Sequence, residues 1–183
     1  MKAILKTEDL KRLIKATAKF ISKDDNRQML QWIQLKFDKE KLTVTAIALD
    51  GCKLSVETVK CFDLDEDFTV CIRPYLPVGA KDMYSKIELS DKLCLIDIGG
   101  RFTGYKQPEG NFFDAEKFLT ETEQLPVINE VALTRDFLVD ALKSLQQDEL
   151  KRLPVIIQLR DDLKPVSIKM GKSTRYILPV RNK

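Results

Sequence analysis

One order of elements, a strand, a helix and three more strands, recurs along the 183 residues of this sequence. In the first copy, residues 1–7 alternate between apolar and polar side chains, which is typical of a strand. Thr7 then precedes a helical pattern with two acids in its first turn, so it is predicted to cap a helix that runs to about Lys23. The strands that follow are predicted at residues 29–37, 41–49 and 52–62.

The second copy is less regular than the first. It has a strand at residues 67–74 and an irregular or weakly helical stretch at residues 75–86, in which Pro77 and Gly79 oppose a regular helix. Three short strands complete this copy. A loop and linker are then predicted at residues 107–126.

The third copy has a strand at residues 128–134, a helix that Thr134 is able to cap, and three strands, the last at residues 174–180. Three βαβββ units therefore account for nearly the whole chain. They predict an α+β fold in which antiparallel sheets carry helices on one face.

The composition narrows the possible functions. The chain has no histidine, which removes the commonest general base at neutral pH and histidine-ligated zinc. Its four cysteines are too widely spaced for a paired zinc motif. No run of apolar residues approaches a signal peptide or a membrane span, so a cytoplasmic protein is expected. No cofactor or metal is predicted.

One acidic run gives an enzymatic alternative. A carboxylate-metal nuclease could use Asp63, Asp65, Glu66 and Asp67. Their spacing lacks the glycine and the closing glutamate of a calcium-binding loop, which favours a charged turn. We therefore predict that the protein is not an enzyme.

The first helix carries a basic stripe. At 100° per residue, its apolar residues fall on one face, and the opposite face holds Lys11, Arg12, Lys15, Lys19 and Lys23. Like charges four residues apart oppose helix formation unless a polyanion neutralises them. The stripe predicts sequence-independent, salt-sensitive contact with the backbone of double-stranded DNA, with an ordinary solvated lysine face as the alternative.

Four motifs resemble those of one protein family. Residues 48–54, ALDGCKL, resemble the ATDGHRL turn of bacterial sliding clamps, the DNA polymerase III beta subunits, and residues 25–30, DNRQML, resemble the DVRYYL stretch before that turn. Residues 102–114 resemble FTSKLxxGxFPD, and the tail RYILPVR resembles LILPVR. The motifs occur in the family's order. The resemblance implies a DNA clamp-like fold and a processivity factor in DNA replication.

The resemblance also implies a shortened clamp. Residues 1–120 look like the family's middle domain, with two units at residues 1–62 and 66–110 followed by a loop, and residues 121–183 look like a linker and the second half of the last domain. With three units per chain where the family has six, four chains would supply the twelve units of a closed ring. A homo-oligomer is therefore expected.

In the family, the DGHRL turn and the C-terminal tail form a hydrophobic pocket that grips short linear peptides of polymerases and repair proteins. Carried over to this chain, one wall would contain Leu30, Gly51, Lys53 and Leu54, and the other Ile177, Leu178, Pro179, Val180 and Arg181. Cys52 stands where the family has His, and Lys53 where it has Arg. Two alternatives remain: the tail is only the last strand of its own sheet, or the chain is a reduced peptide-binding module or regulator that does not encircle DNA.

Overall fold

Two antiparallel sheets are formed by strands that the sequence units exchange. The computed structural model describes residues 1–77, 81–125, 131–145, 154–160 and 164–180. The first unit has the predicted order, namely β1 (Lys2–Lys6), α1 (Thr7–Thr17), β2 (Ile33–Asp38), β3 (Thr43–Leu49) and β4 (Lys53–Lys60). The second contains β5 (Asp63–Leu64), β6 (Phe68–Ile72), β7 (Tyr84–Ser90), β8 (Leu93–Ile98) and β9 (Arg101–Lys106). After these come α2 (Ala115–Glu123), α3 (Arg135–Ser144), β10 (Ile156–Gln158), β11 (Val166–Met170) and β12 (Ser173–Ile177).

Strand β1 of the first unit lies in the sheet formed by the second unit, and β6 of the second unit lies in the sheet that contains β2, β3 and β4. The five-stranded sheet has the order β5-β1-β7-β8-β9, and the seven-stranded sheet has the order β10-β11-β12-β4-β3-β2-β6. Strand β12 of the third unit pairs with β4 of the first, so one sheet runs through both. This junction brings the C-terminal tail beside the first unit.

The main core lies between the two sheets and beneath α1. Alternate residues of a strand point to opposite faces, and Val44, Ala46 and Ala48 of β3 point to this core. They meet Leu10 and Leu13 of α1 there. On the opposite face of β3, Ile47 belongs to a second cluster with Leu54, Ala115 and Tyr176. The seven-stranded sheet is therefore covered on both faces, by α1 on one and by α2 on the other.

Helix α1 is shorter than predicted. It ends at Thr17, whose hydroxyl donates to the carbonyl oxygen of Leu13 at 2.7 Å, and a short 3₁₀ turn follows at Ala18–Phe20. The extension to Lys23 is wrong because Ile21 adopts an extended conformation. The chain turns there, so that the N–H of the next residue, Ser22, donates to the Leu30 carbonyl at 2.8 Å.

Neither threonine caps its helix through its side chain. The residue before α1 is Lys6, and Thr7 is the first helical residue, with its Oγ1 2.8 Å from Oγ of Ser85 in β7. The prediction that Thr7 caps α1 is therefore wrong. Thr134 does precede α3, but its side chain makes no capping hydrogen bond.

The helix α2 replaces part of the predicted loop and linker. Asp114 caps it by accepting a hydrogen bond from the N–H of Lys117 at 3.1 Å. The side chains of Phe118 and Leu119 then pack on the second cluster, which holds the short helix against the sheet. Tertiary contact, rather than a long amphipathic pattern, explains why a helix forms here.

Two other predicted elements fall partly outside the described residues. In the second unit, the described residues between β6 and β7, 73–77 and 81–83, contain no helix. In the third, residues 128–130 of the predicted first strand lie outside the description, and residues 131–134 form no strand. Among the described helices, none is both long and apolar enough to cross a membrane.

Candidate functional site

The turn between β3 and β4 is fixed by its own side chains. Oδ1 of Asp50 accepts hydrogen bonds from the N–H groups of Cys52 at 2.9 Å and Lys53 at 3.1 Å. Gly51 has a φ of +99°, a conformation that favours glycine. The guanidinium of Arg27 lies against Gly51, where a Cβ atom would collide with it, and donates to the Asp50 carbonyl at 3.1 Å.

The pairing of β4 with β12 brings the C-terminal tail beside this turn. Tyr176 lies opposite Leu54, and Ile177 lies opposite Lys53. The first pair faces α2, and the second faces the main core because successive residues alternate between faces. Beyond the strand, the N–H of Leu178 donates to the carbonyl oxygen of Cys52 at 2.9 Å, so the tail stays attached to the turn.

A small apolar cavity of about 120 Å³ opens at this junction. Its base is formed by Leu49, Leu54 and Tyr176, and its rim by the Gly51 turn and Leu178. The complete lining is Leu49, Gly51, Cys52, Lys53, Leu54, Phe113, Phe118, Pro165, Tyr176 and Leu178. We call it the tail cavity.

Helix α2 and the residues before it provide the remaining wall of the tail cavity. The rings of Phe113 and Phe118 meet edge to face with centroids 5.3 Å apart, and Phe118 meets Tyr176 in the same way at 6.5 Å. The Tyr176 hydroxyl lies 3.2 Å from Glu123 Oε1, and burial raises the pKa of this phenol. Tyr176 therefore stays a neutral hydrogen-bond donor that ties α2 to the sheet.

Some of the residues predicted to form the peptide pocket lie together in the structure, and others do not. Gly51, Lys53, Leu54 and Leu178 line the tail cavity. Leu30 does not line it, Ile177 is fully buried in the main core, and neither Pro179 nor Val180 contributes. The N–H of Val180 instead donates to Ala132 at 2.9 Å. Arg181 lies outside the described residues.

The ammonium group of Lys53 points away from the tail cavity. It lies 3.0 Å from Asp140 of α3 and above the rings of Phe20 and Phe137, at 5.4 and 5.5 Å from their centroids. The hydrogen bond from Lys53 lowers the pKa of Asp140. Lys53 thus joins β4 to α3, and its charged group does not face the tail cavity.

The predicted basic stripe is continuous from Lys11 to Lys19. Lys11, Lys15 and Lys19 are exposed, and Arg12 is half-buried beside Asp9, with Nη1 3.4 Å from the carboxylate. Lys23 is exposed but lies beyond the extended Ile21, so it does not continue the helix face.

The third unit adds a cation that the sequence reasoning missed. A groove of about 230 Å³ between α1 and α3 is lined by Arg12, Lys15, Lys19 and Lys143, with Glu57 among its other residues. Asp140 pairs with Lys53 at 3.0 Å, and the charges of Lys19 and Lys143 also lower its pKa, so this carboxylate offsets part of the positive charge along the groove. We call this the α1–α3 groove.

The acidic run predicted as a nuclease alternative makes contacts to the backbone and the N-terminus. Asp65 accepts from the N–H of Lys2 at 2.7 Å, which lowers the pKa of Asp65, and Asp67 accepts from the N–H of Lys39 at 2.6 Å. Glu66 lies 3.9 Å from the N-terminal ammonium. Within the described ranges, no group of three or more potential ligands could hold a metal ion.

The residues that sequence reasoning missed come from two places. Phe113 and Phe118 lie in the segment predicted as loop and linker, and Tyr176 was taken only as part of the last strand. The alternation of the tail contained a signal, because Tyr176 and Leu178 share a face that Ile177 does not. The partial burial of Phe113 and Phe118 depends on α2, which the sequence pattern did not predict.

Comparisons with known proteins find relatives by structure alone. No family model and no curated protein matches the sequence. The DNA polymerase sliding clamp from Bacillus subtilis is similar with a TM-score of 0.77 and 15% identity, over 100% of this chain and 65% of that one. The DNA polymerase sliding clamp from Pseudomonas aeruginosa is similar with a TM-score of 0.77 and 14% identity, over 100% of this chain and 67% of that one. The beta chain of DNA polymerase III from Streptococcus pneumoniae is similar with a TM-score of 0.75 and 16% identity, over 100% of this chain and 65% of that one.

These likenesses show the fold. The chain has the sliding-clamp fold, which confirms the predicted α+β class and the family resemblance at the level of architecture. It spans 65% of the length of the clamps it matches, which is more than the half that three units out of six would imply.

Proposed function

We propose that this sliding-clamp fold serves as a non-enzymatic, DNA-associated protein that tethers replication or repair proteins through the tail cavity. The observation that carries the proposal is the apolar cavity where the Gly51 turn meets the C-terminal tail. The two segments lie more than a hundred residues apart in sequence, and the hydrogen bond between Leu178 and Cys52 joins them.

The size and lining of the tail cavity suit one apolar side chain of a partner. At about 120 Å³ it is smaller than the 300–1,000 Å³ typical of small-molecule sites. Its lining residues are predominantly apolar, and the exposed edge at Leu178 leaves room for an extended peptide. Binding of this kind depends on one or two buried anchors, such as Leu or Phe.

A labelled peptide of the Gln-Leu-x-Leu-Phe type tests the tail cavity. Leu178→Asp should weaken its binding at least tenfold, because a carboxylate would replace apolar contact at the rim. Leu142→Asp in α3 is the matched control, since Leu142 is 40% exposed and Leu178 37%, and it should bind as the wild type does. Equal binding by Leu178→Asp and the wild type would exclude the tail cavity as the peptide site.

The proposed DNA contact rests on the basic stripe and the α1–α3 groove. Lys15 and Lys19 lie on both surfaces, and Lys143 extends the positive charge to the second helix. Such clustering supports phosphate contact although the net charge of the whole chain is only +3. The contact would carry no base specificity.

Charge reversal tests the DNA contact. Changing Lys11, Lys15 and Lys19 to Glu should weaken duplex binding and flatten its salt dependence by about 0.9 per lost phosphate contact. The matched control reverses three exposed lysines at the five-stranded sheet, namely Lys86 on β7, Lys106 on β9 and Lys92 in the turn between β7 and β8. If both triple variants lose the same affinity, net charge rather than the stripe accounts for binding.

A second candidate is a reduced clamp-derived module or regulator that binds partner peptides and does not encircle DNA. The coverage of only 65% of the Bacillus subtilis clamp favours it. Retention on circular DNA separates the two functions. A ring that encircles DNA stays on a closed circle in high salt and leaves when the circle is cut, whereas a module leaves both.

A further inference from the structure

A second charged groove lies on the other side of Arg12 from the α1–α3 groove. It has a volume of about 720 Å³ and lies between the end of β1, the first turns of α1, the end of β4 and the turn from β11 to β12. Its lining is Lys6, Asp9, Arg12, Thr43, Thr58, Val59, Lys60, Cys61, Phe62 and Lys172. We call it the Phe62 groove.

The Phe62 groove is strongly basic. Four cations line it, namely Lys6, Arg12, Lys60 and Lys172, and the three lysines are exposed. Asp9 is the one acid in its described lining, and its carboxylate lies 3.4 Å from Arg12. The lysines come from three separate parts of the sequence, so the fold concentrates a charge that the sequence disperses.

An exposed aromatic ring stands at the edge of these cations. Phe62 is 69% exposed, although the thiol before it, Cys61, is buried. The backbone holds Phe62 in place, because its N–H donates to the carbonyl oxygen of Ile4 at 2.7 Å. Its ring leans on Tyr84 at a centroid distance of 5.1 Å, which leaves most of the ring open to solvent.

We propose that the Phe62 groove binds a short segment of single-stranded nucleic acid, with phosphates on Lys60 and Lys172 and an unpaired base stacked on Phe62. Basic grooves that present aromatic rings are the common arrangement for such ligands. A duplex offers phosphates but keeps the faces of its bases stacked on one another. The exposed ring therefore favours an unpaired strand.

The Phe62 groove and the α1–α3 groove share Arg12. A strand that leaves a duplex on α1 would reach the Phe62 groove without crossing an uncharged gap. The single-strand site is separable from the duplex contact, since Phe62, Lys60 and Lys172 line the Phe62 groove and do not line the α1–α3 groove. Variants of these residues separate the two activities.

Anisotropy of a labelled oligothymidylate tests the base contact. Phe62→Ala should weaken binding about 5- to 150-fold, the range that follows from the loss of one stacked base. Binding of an abasic oligonucleotide of equal length should not change, because it has the phosphates without the bases. Phe102→Ala is the matched control, since Phe102 is 60% exposed on β9, an edge strand separated from β1 by two others.

Charge variants test the phosphate contacts. Lys60→Glu with Lys172→Glu should weaken both oligonucleotides and lower the salt slope by about 0.7 for each lost contact. Lys15→Glu with Lys19→Glu should weaken duplex binding and spare oligothymidylate. Lys86→Glu with Lys106→Glu, two exposed lysines on β7 and β9, controls for the same change of net charge.

Three results would overturn the single-strand site. The first is a Phe62→Ala protein that melts at the same temperature as the wild type and binds oligothymidylate with unchanged affinity. The second is an equal loss of oligothymidylate binding from the Lys15 and Lys19 pair. The third is a wild-type protein that binds phosphatidylserine vesicles but not oligothymidylate, together with loss of the vesicle binding in Lys60→Glu with Lys172→Glu. This result would assign the groove to an anionic lipid surface.

Discussion

One buried ion pair joins the first unit to the third. Glu57 of β4 is 2% exposed and Arg175 of β12 is fully buried, and their charged groups approach to 2.5 Å. Burial lowers the pKa of Arg175, and the Glu57 carboxylate opposes that shift. Arg175 also donates to the hydroxyl and the carbonyl oxygen of Ser144, at 2.9 and 2.6 Å, and so holds the C-terminal end of α3.

Breaking this ion pair should be costly. Arg175→Met leaves the Glu57 carboxylate buried without its cation, and such losses typically cost about 3–5 kcal/mol. We expect urea unfolding to show a fall in the free energy of unfolding of this size. The double variant Glu57→Leu with Arg175→Met should recover much of it, because no buried charge remains. A double variant no more stable than Arg175→Met would show that the pair acts through its other hydrogen bonds.

The four thiols should differ in reactivity. Burial raises the pKa of Cys61 and Cys94 to about 12 and that of Cys71 to about 11, so these thiols carry almost no thiolate at neutral pH. Cys52 is exposed at the tail cavity. A maleimide should therefore modify Cys52 first, as peptide mass mapping would show, and the adduct should block peptide binding.

Serine at position 52 provides the control for this labelling. Cys52→Ser should remove the fast-reacting thiol and retain peptide binding after maleimide treatment. Fast labelling of a second cysteine would contradict the burial described for the other three. Full peptide affinity after labelling of Cys52 would count against the tail cavity.

At the scale of elements, α3 is attached to the sheet by the Lys53–Asp140 pair. Asp140 has a lowered pKa, with the hydrogen bond from Lys53 as the main cause. A carboxyl group whose pKa is lowered by folding contributes stability above its usual value of 3.8, and that stability is lost as the pH falls through the lower, folded value. Lys53 itself is 8% exposed.

Asp140→Asn should therefore destabilise the protein at neutral pH and not in strong acid. Because Asp140 is 37% exposed, solvent screening limits the cost to about 1 kcal/mol, or about 2–4 °C in melting temperature at pH 7. The difference between variant and wild type should shrink as the pH falls below about 4. Thermal melting across that range measures it, and a difference that stays constant with pH would exclude Asp140 ionisation as its source.

The elements that the sequence predicted well are those with strong periodicity. The apolar face of α1 and the alternation of β2 appear in the pattern itself, because each packs one full face on the core. Helix α2 was missed because its amphipathic pattern is short and its apolar residues anchor to a surface made by β3, β4 and β12. The tail cavity was only partly predicted, because one of its walls depends on α2. The turn and the tail were recognised by resemblance, and the aromatic wall that depends on α2 was not.

At the scale of the whole molecule, the seven-stranded sheet ends differently on its two sides. At one end, the side chain of Gln107 bonds both the N–H and the carbonyl oxygen of Cys71 in β6, at 2.6 and 3.1 Å. At the other, β10 has no neighbour on its outer edge among the described strands. In the first unit, β2 occupies the corresponding place after the helix, and β6 covers it. Within the described part of the third unit, no strand covers β10 in this way.

The edge of β10, which is unpaired among the described strands, supports the homo-oligomer that the sequence predicts. Val155, Ile156 and Ile157 are 41–53% exposed and apolar, and Pro154 lies directly before them at the start of this edge. A second copy that added a strand there would complete the third unit as β6 completes the first. A ring of this fold would need such a contact, since three units are half the number in a clamp chain.

Ile157→Lys should abolish this association. Wild-type protein is expected to show a mass that rises with concentration in size-exclusion chromatography with light scattering, and the variant should keep the monomer mass, because a lysine on an edge strand opposes pairing. Leu93→Lys is the matched control, since Leu93 is 48% exposed, against 50% for Ile157, in a strand paired on both sides. A wild type that stays monomeric at every concentration would exclude ring closure in solution and leave the reduced binding module as the function of this fold.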